Sequence, residues 1–182
     1  YLASRHVNSI YLMPMNIGGD GQDCWPFVGP ITPSGSSSND NVHYDISKLH
    51  QWEMVLDHAD RKGMLLHMVL NEAERNNKTE LDNATLGTER KLYYRELAAR
   101  FGHHLAVQWN LCEEYNLNYA LSPAMVTSWA DYLRSVDPYD HPIAVHNSGS
   151  LDTLFSPFLG GSIDAMSIQA NELNFDDLTE QW

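Results

Sequence analysis

Positive charge is what this sequence has least of. Its 182 residues include 11 Lys and Arg against 24 Asp and Glu, a formal net charge of −13. Nucleic acids and anionic membranes bind basic surfaces, so neither is expected as the main partner. Cysteine is scarce as well. Cys24 and Cys112 lie far apart, which excludes a disulfide framework and a zinc-type Cys spacing and leaves two free thiols. No apolar run approaches the roughly 20 residues that span a bilayer, so no membrane insertion is expected. No Gly-x-Gly-x-x-Gly or P-loop follows an apolar run, which removes the usual nucleotide-binding signatures. Nine histidines are present, but without His-Glu-x-x-His, and no His-x-His follows a strand. The motifs therefore predict no cofactor and no metal.

What is present is a globular composition. Hydrophobic residues make up 43% and charged residues 19%, the balance of a folded domain rather than a disordered chain. A single domain over 1–182 is the expectation. Short apolar runs alternate with amphipathic stretches. Ser9–Pro14, Met64–Leu70, Leu105–Trp109, Ile143–Val145 and Ile163–Ile168 read as buried strands, each bounded by turn-forming residues. Helical period runs from Asp45 to Arg61, from Thr88 to Phe101, and onward from Ser122-Pro123, a cap residue followed by proline at the first helical position. Alternating strands and helices imply a parallel sheet with right-handed crossovers. The start at Tyr1, read as a helix tail, and a new helical pattern at Phe175–Leu178 suggest a piece of something larger. A closed (β/α)8 barrel needs about 250 residues.

Polar and aromatic residues concentrate just after the strands. Asn16 to Phe27 follows the first, with Trp25 and Phe27 as aromatic faces able to stack on a ring or to pin the loop. Asn71, Glu72 and Glu74 follow the second, Asn110 to Asn116 the third, His146-Asn147 the fourth, and Gln169 to Glu172 the fifth. In a barrel these ends share the face that carries chemistry. A doubly wound sheet also binds ligands there. Asp20-Gly-Gln-Asp23 lacks a full calcium ligand set. His67 reads as a core histidine, and His103-His104 as a helix-end surface pair. Asn77-Lys-Thr79 and Asn83-Ala-Thr85 fit the N-glycosylation pattern.

The segment Trp109-Asn-Leu-Cys-Glu-Glu-Tyr-Asn116 is the strongest chemical signal. Two carboxylates follow a buried strand directly, beside Trp109 and Tyr115. Low-dielectric surroundings and a like-charged neighbour disfavour the ionised form, as a general acid requires. Solvated loop acids are the bland alternative.

This segment, with Tyr44-Asp-Ile-Ser-Lys-Leu49, Gln51-Trp-Glu53 and Lys62-Gly-Met64, resembles the apiosidase-like and cellulase-like glycoside hydrolases of the retaining (β/α)8 clan. The resemblance covers nearly the whole chain. It implies an incomplete TIM barrel of about strands two to six, acting on the O-glycosidic bonds of a poly- or oligosaccharide outside the cytoplasm, extracellular or periplasmic. In that clan the acid/base Glu follows the fourth strand, usually after an Asn. Here Glu113 takes the Asn place and Glu114 the catalytic place, so Glu114 is assigned first and Glu113 second. The nucleophile would follow the seventh strand, and Glu172 falls one strand too early. Asn16, Trp25, Asn71, Glu72, Asn110, Tyr115, His146 and Gln169 are the expected carbohydrate contacts. A non-catalytic glycan-binding barrel, an inactive homologue or a purely structural barrel are the alternatives. Two unpaired parallel edges would leave such a piece poorly stable by itself.

Overall fold

A computed structural model describes residues 1–18, 21–30, 40–149 and 155–169. In chain order the elements are β1 (Ser9–Leu12), the hairpin strands β2 (Asn16–Gly18) and β3 (Gly21–Cys24), and helix α1 (Ile46–Asp60). Then come β4 (Leu65–Val69), α2 (Arg75–Glu80), α3 (Thr88–Phe101), β5 (Val107–Asn110), α4 (Pro123–Val136), β6 (Ile143–Ser148) and β7 (Ala165–Gln169). The strands β1, β4, β5, β6 and β7 form one sheet in that order, and every pairing is parallel. Successive parallel strands joined by helical crossovers make an incomplete (β/α)8 barrel.

Residue alternation decides the two faces of the sheet, because successive side chains on a strand point opposite ways. Leu66, Met68, Val107, Trp109, Ile143 and Val145 are buried toward the helices. They meet Leu49, Leu56 and Ala59 of α1, Tyr94, Leu97 and Phe101 of α3, and Val126, Trp129, Ala130 and Leu133 of α4. Each fully buried aliphatic side chain contributes about 1.5–3 kcal/mol, so this layer dominates the fold's stability. The other face has a different character. Register puts Tyr11 beside His67, and His67 beside Gln108. The same parity carries Asn110, His146 and Gln169 to that concave side.

Local chemistry sets the helix ends. The Asp45 carboxylate accepts from the amides of Ser47 and Lys48 and starts α1. Ser122 Oγ accepts from the Met125 amide at 3.3 Å, with Pro123 next in line, and starts α4. Gly63, at φ 67°, turns the chain from α1 into β4.

Three sequence expectations change. Asn16 to Phe27 is not simply a loop: it contains the β2–β3 hairpin, where a Cβ on Gly21 would lie 2.9 Å from Asn16 Nδ2. The segment after β4 contains α2. Tyr1–His6 forms a 3-10 turn over Ala3–Arg5 that His6 closes at φ 64°. The helical pattern at Phe175–Leu178, together with Glu172 and Asp20, lies outside the described residues. No helix among the described residues is long and apolar enough to cross a membrane.

Candidate active site

The C-terminal ends of the parallel strands carry Asn110, Glu113, Glu114, His146 and Gln169, and β5 is central. Its last residue, Asn110, is fully buried. Asn110 Oδ1 accepts from the Cys112 amide at 3.3 Å, and its Nδ2 lies 3.0 Å from His67 Nε2. The chain then makes a tight turn through Glu113 and Glu114. Glu114 has φ 41°, a left-handed conformation that costs a non-glycine residue on the order of 1–3 kcal/mol.

A buried lysine holds that turn. Lys78 Nζ donates to the carbonyls of Glu114 and Leu117, both at 2.7 Å. Burial lowers the Lys78 pKa, while Cys112 and the acids Glu114, Glu74 and Glu72 pull it back. Neighbouring strands supply further ties. The Glu113 amide donates to the Asn71 carbonyl at 2.8 Å, and the Tyr115 amide to the His146 carbonyl at 2.9 Å.

The two carboxylates face different partners. Glu113 accepts a hydrogen bond from the Tyr11 hydroxyl; burial first, then the Glu113 charge and this bond, raise the Tyr11 pKa. The Tyr11 ring stacks on His67 at 5.1 Å. Glu114 reaches His146 electrostatically. Burial lowers the His146 pKa, against the opposing effects of Gln169 and the Glu114 charge. His146 is 7% exposed, yet neither ring nitrogen makes a hydrogen bond of ordinary geometry. His67 is also held toward the neutral form, by burial and by His146, against a hydrogen bond with Gln108. Burial pushes the Cys112 thiol up to about 12.

The other predicted residues occupy varied settings. Asn71 is fully buried; its Nδ2 donates to the Leu111 carbonyl at 2.8 Å, and its Oδ1 accepts from Arg90 Nη1 at 2.9 Å. Glu72 is buried and accepts from Asn77 Nδ2. Asn16 keeps a buried Oδ1 without a hydrogen bond, and so does Glu74 its Oε2. Trp25 and Phe27 are both buried and meet edge to face at 4.9 Å, pinning their loop. Tyr115 is buried edge-on against Phe158 at 5.5 Å. Gln169 lies at the end of β7 beside His146. A groove of about 490 Å³ is lined by Cys24, Trp25, Lys48, Trp52 and Val55, and does not include the two carboxylates.

Two readings of the sequence need correction. Asn77 is fully buried, so its amide cannot accept a glycan in the folded chain; Asn83 is exposed. His104 is 2% exposed rather than a surface residue, and its Nδ1 bonds Asp60 at 2.8 Å. Sequence reasoning missed Tyr11, Lys78 and Arg90 as parts of this site. Only Tyr11, a polar-tipped residue on a short strand, carried a usable signal.

No family model and no curated protein matches the sequence. Solved structures do match. A candidate glycoside hydrolase from Bacteroides vulgatus ATCC 8482 superposes with a TM-score of 0.68 at 19% identity, over 89% of this chain and 33% of its own. The chain shares the fold of about a third of that protein. A glycoside hydrolase family 5 protein from the same strain gives 0.58 at 14% identity, over 85% of this chain and 32% of its own. A further glycoside hydrolase gives 0.52 at 15% identity, over 80% and 31%. The chain thus spans about a third of the length of the glycoside hydrolases it resembles, and at these identities the likeness is one of fold.

Proposed function

We propose that this chain is the part of a retaining glycosidase that carries the acid/base carboxylate, Glu114. The observation that carries the proposal is the turn after β5. Two carboxylates stand there at the C-terminal end of the central strand, one tied to Tyr11, the other facing His146. Barrel enzymes build their sites at those strand ends.

In this reading Glu114 gives its proton to the glycosidic oxygen as the C–O bond breaks. The nucleophile, on a segment beyond the described residues, forms a bond to the anomeric carbon. Glu114, now ionised, takes a proton from the water that attacks the anomeric carbon; the bond from that carbon to the nucleophile breaks, freeing the sugar and restoring the nucleophile carboxylate. Lys78 keeps the Glu114 backbone in its strained conformation, so the carboxyl stays in place between the two proton transfers. Glu113 fills the preceding position and is oriented by Tyr11. Asn16 retains a buried oxygen without a hydrogen bond, which suits a hydroxyl group of a carbohydrate.

The test uses the full-length enzyme. Glu114→Gln should lower turnover about 10²–10⁴-fold on glycosides with poor leaving groups. Activated aryl glycosides, whose leaving group needs little protonation, should lose far less in the first step. Equal losses on both substrate types would remove the acid/base assignment.

A further inference from the structure

The structure assigns a second site, for a divalent transition metal of the zinc class, to Glu53, Asp57, His103 and His104. These residues lie far from the carboxylates. Asp60 ends α1 shortly before β4 begins, and His104 follows α3 shortly before β5 begins. The cluster therefore sits at the end of the barrel where the strands start, opposite the candidate active site.

Four potential ligand atoms, one from each residue, lie within 4.8 Å of one another. His103 Nε2 is 3.2 Å from Glu53 Oε1, and His104 Nε2 is 3.7 Å from Glu53 Oε2. Zinc bonds of 2.0–2.1 Å in a tetrahedron hold neighbouring ligand atoms about 3.3 Å apart, so the widest pairs, up to 4.8 Å here, would draw in by at most about 1.5 Å. Glu53 and Asp57 are four residues apart on α1 and share a helix face. His103 and His104 approach from the turn after α3, with ring centroids 4.3 Å apart.

His104 is the observation that points to a ligand rather than to a plain ion-pair cluster. The residue is 2% exposed, and its Nε2 is buried without a hydrogen bond, aimed at Glu53. Its other nitrogen, Nδ1, bonds Asp60 Oδ2 at 2.8 Å. A carboxylate on the far nitrogen fixes the tautomer and turns the free nitrogen toward a metal. Charge agrees with this. Two ligating carboxylates neutralise a divalent cation, and Arg61 meets Asp57 only loosely, at 3.8 Å on the surface. Arg100 is held by Glu96 instead. Four protein ligands close the coordination sphere, so the metal would staple α1 to the end of α3 rather than activate water.

The experiment is titration of the metal-stripped chain with Zn²⁺ against a chromophoric chelator, repeated with Co²⁺ to read its visible absorption. One Zn²⁺ per chain is expected, with the intense Co²⁺ bands of a tetrahedral site. His103→Ala and Asp57→Asn change exposed residues and leave the fold intact; each should weaken binding at least about tenfold, and Asp60→Asn about 10–100-fold. Glu114→Gln should leave it unchanged. Failure of Zn²⁺ to compete at equimolar chelator, or full affinity in both His103→Ala and Asp57→Asn, would overturn the assignment.

Discussion

Arg90 shows how single residues hold this site. It is fully buried, and its guanidinium donates to Asn71 Oδ1 at 2.9 Å and to the carbonyls of Lys78, Leu81 and Thr85. Its flat face lies 3.8 Å from the Trp129 ring centroid. Through Asn71 it steadies the end of β4, and through the Lys78 carbonyl it steadies the residue that grips Glu114. A lysine here has one ammonium and no planar fork, so it leaves several buried acceptors without donors. Arg90→Lys should therefore destabilise the chain by about 3 kcal/mol in urea unfolding. A loss below about 0.5 kcal/mol would show that the acceptors find other donors. None of this is legible in the sequence, because an arginine on a helix reads as surface. Asn71, by contrast, was legible as a strand-end residue, though not as the acceptor of a buried arginine.

Helix α2 does the same work for a whole segment. Arg75–Glu80 has no apolar stripe, so hydrophobic period could not reveal it. Its buried members are Asn77 and Lys78, and they are buried because they bond backbone rather than because they are apolar. Asn77 Oδ1 accepts from the Ile17 amide at 3.0 Å, while Nδ2 donates to the Gly18 carbonyl at 3.3 Å and to Glu72. One side chain thus joins α2, the β2 strand and the end of β4. Asn77→Ala should speed hydrogen exchange at the Ile17 amide and cost about 2 kcal/mol of stability, since a buried donor and acceptor lose their partners. Unchanged protection at Ile17 would mean that the hairpin is held by its own packing. The other helices were legible for ordinary reasons. In α4, Val126, Trp129, Ala130 and Leu133 recur at helical spacing and all become buried; of the α1 stripe Leu49, Trp52, Val55, Leu56 and Ala59, Val55 stays exposed and Trp52 is only half-buried. The β2–β3 hairpin was not legible, because its glycine-rich sequence reads as loop.

At the scale of the molecule, the half-barrel has one apolar face under helices and one polar face along the strands. Tyr11, His67, Gln108, Asn110 and His146 line that polar face, and it ends in Glu113 and Glu114. The face could be read from the sequence only once the strands were in register, because each polar residue alone resembles a lapse in an apolar run. It also makes folding sensitive to acid. Burial lowers the pKa of both His67 and His146 below the ordinary histidine value, and the charged form of His146 further disfavours that of His67. The unfolded chain then binds protons more readily than the folded one. Stability is complete above the unfolded histidine value of about 6.5 and is lost as pH falls below it toward the lowered folded values. Each histidine adds a slope of at most about 1.4 kcal/mol per pH unit within that window. Asp137 behaves differently. Its own burial would raise its pKa, but hydrogen bonds from Trp109, Tyr139 and His141 outweigh that and lower it. Its contribution is therefore lost only as pH falls through and below the carboxylate range near 3.8. Urea unfolding between pH 8 and 5 should show the histidine slope in the wild-type chain and a clearly smaller one when both His67 and His146 are replaced by Gln. An identical slope in the double variant would place the proton uptake on the other histidines and leave the concave face indifferent to pH.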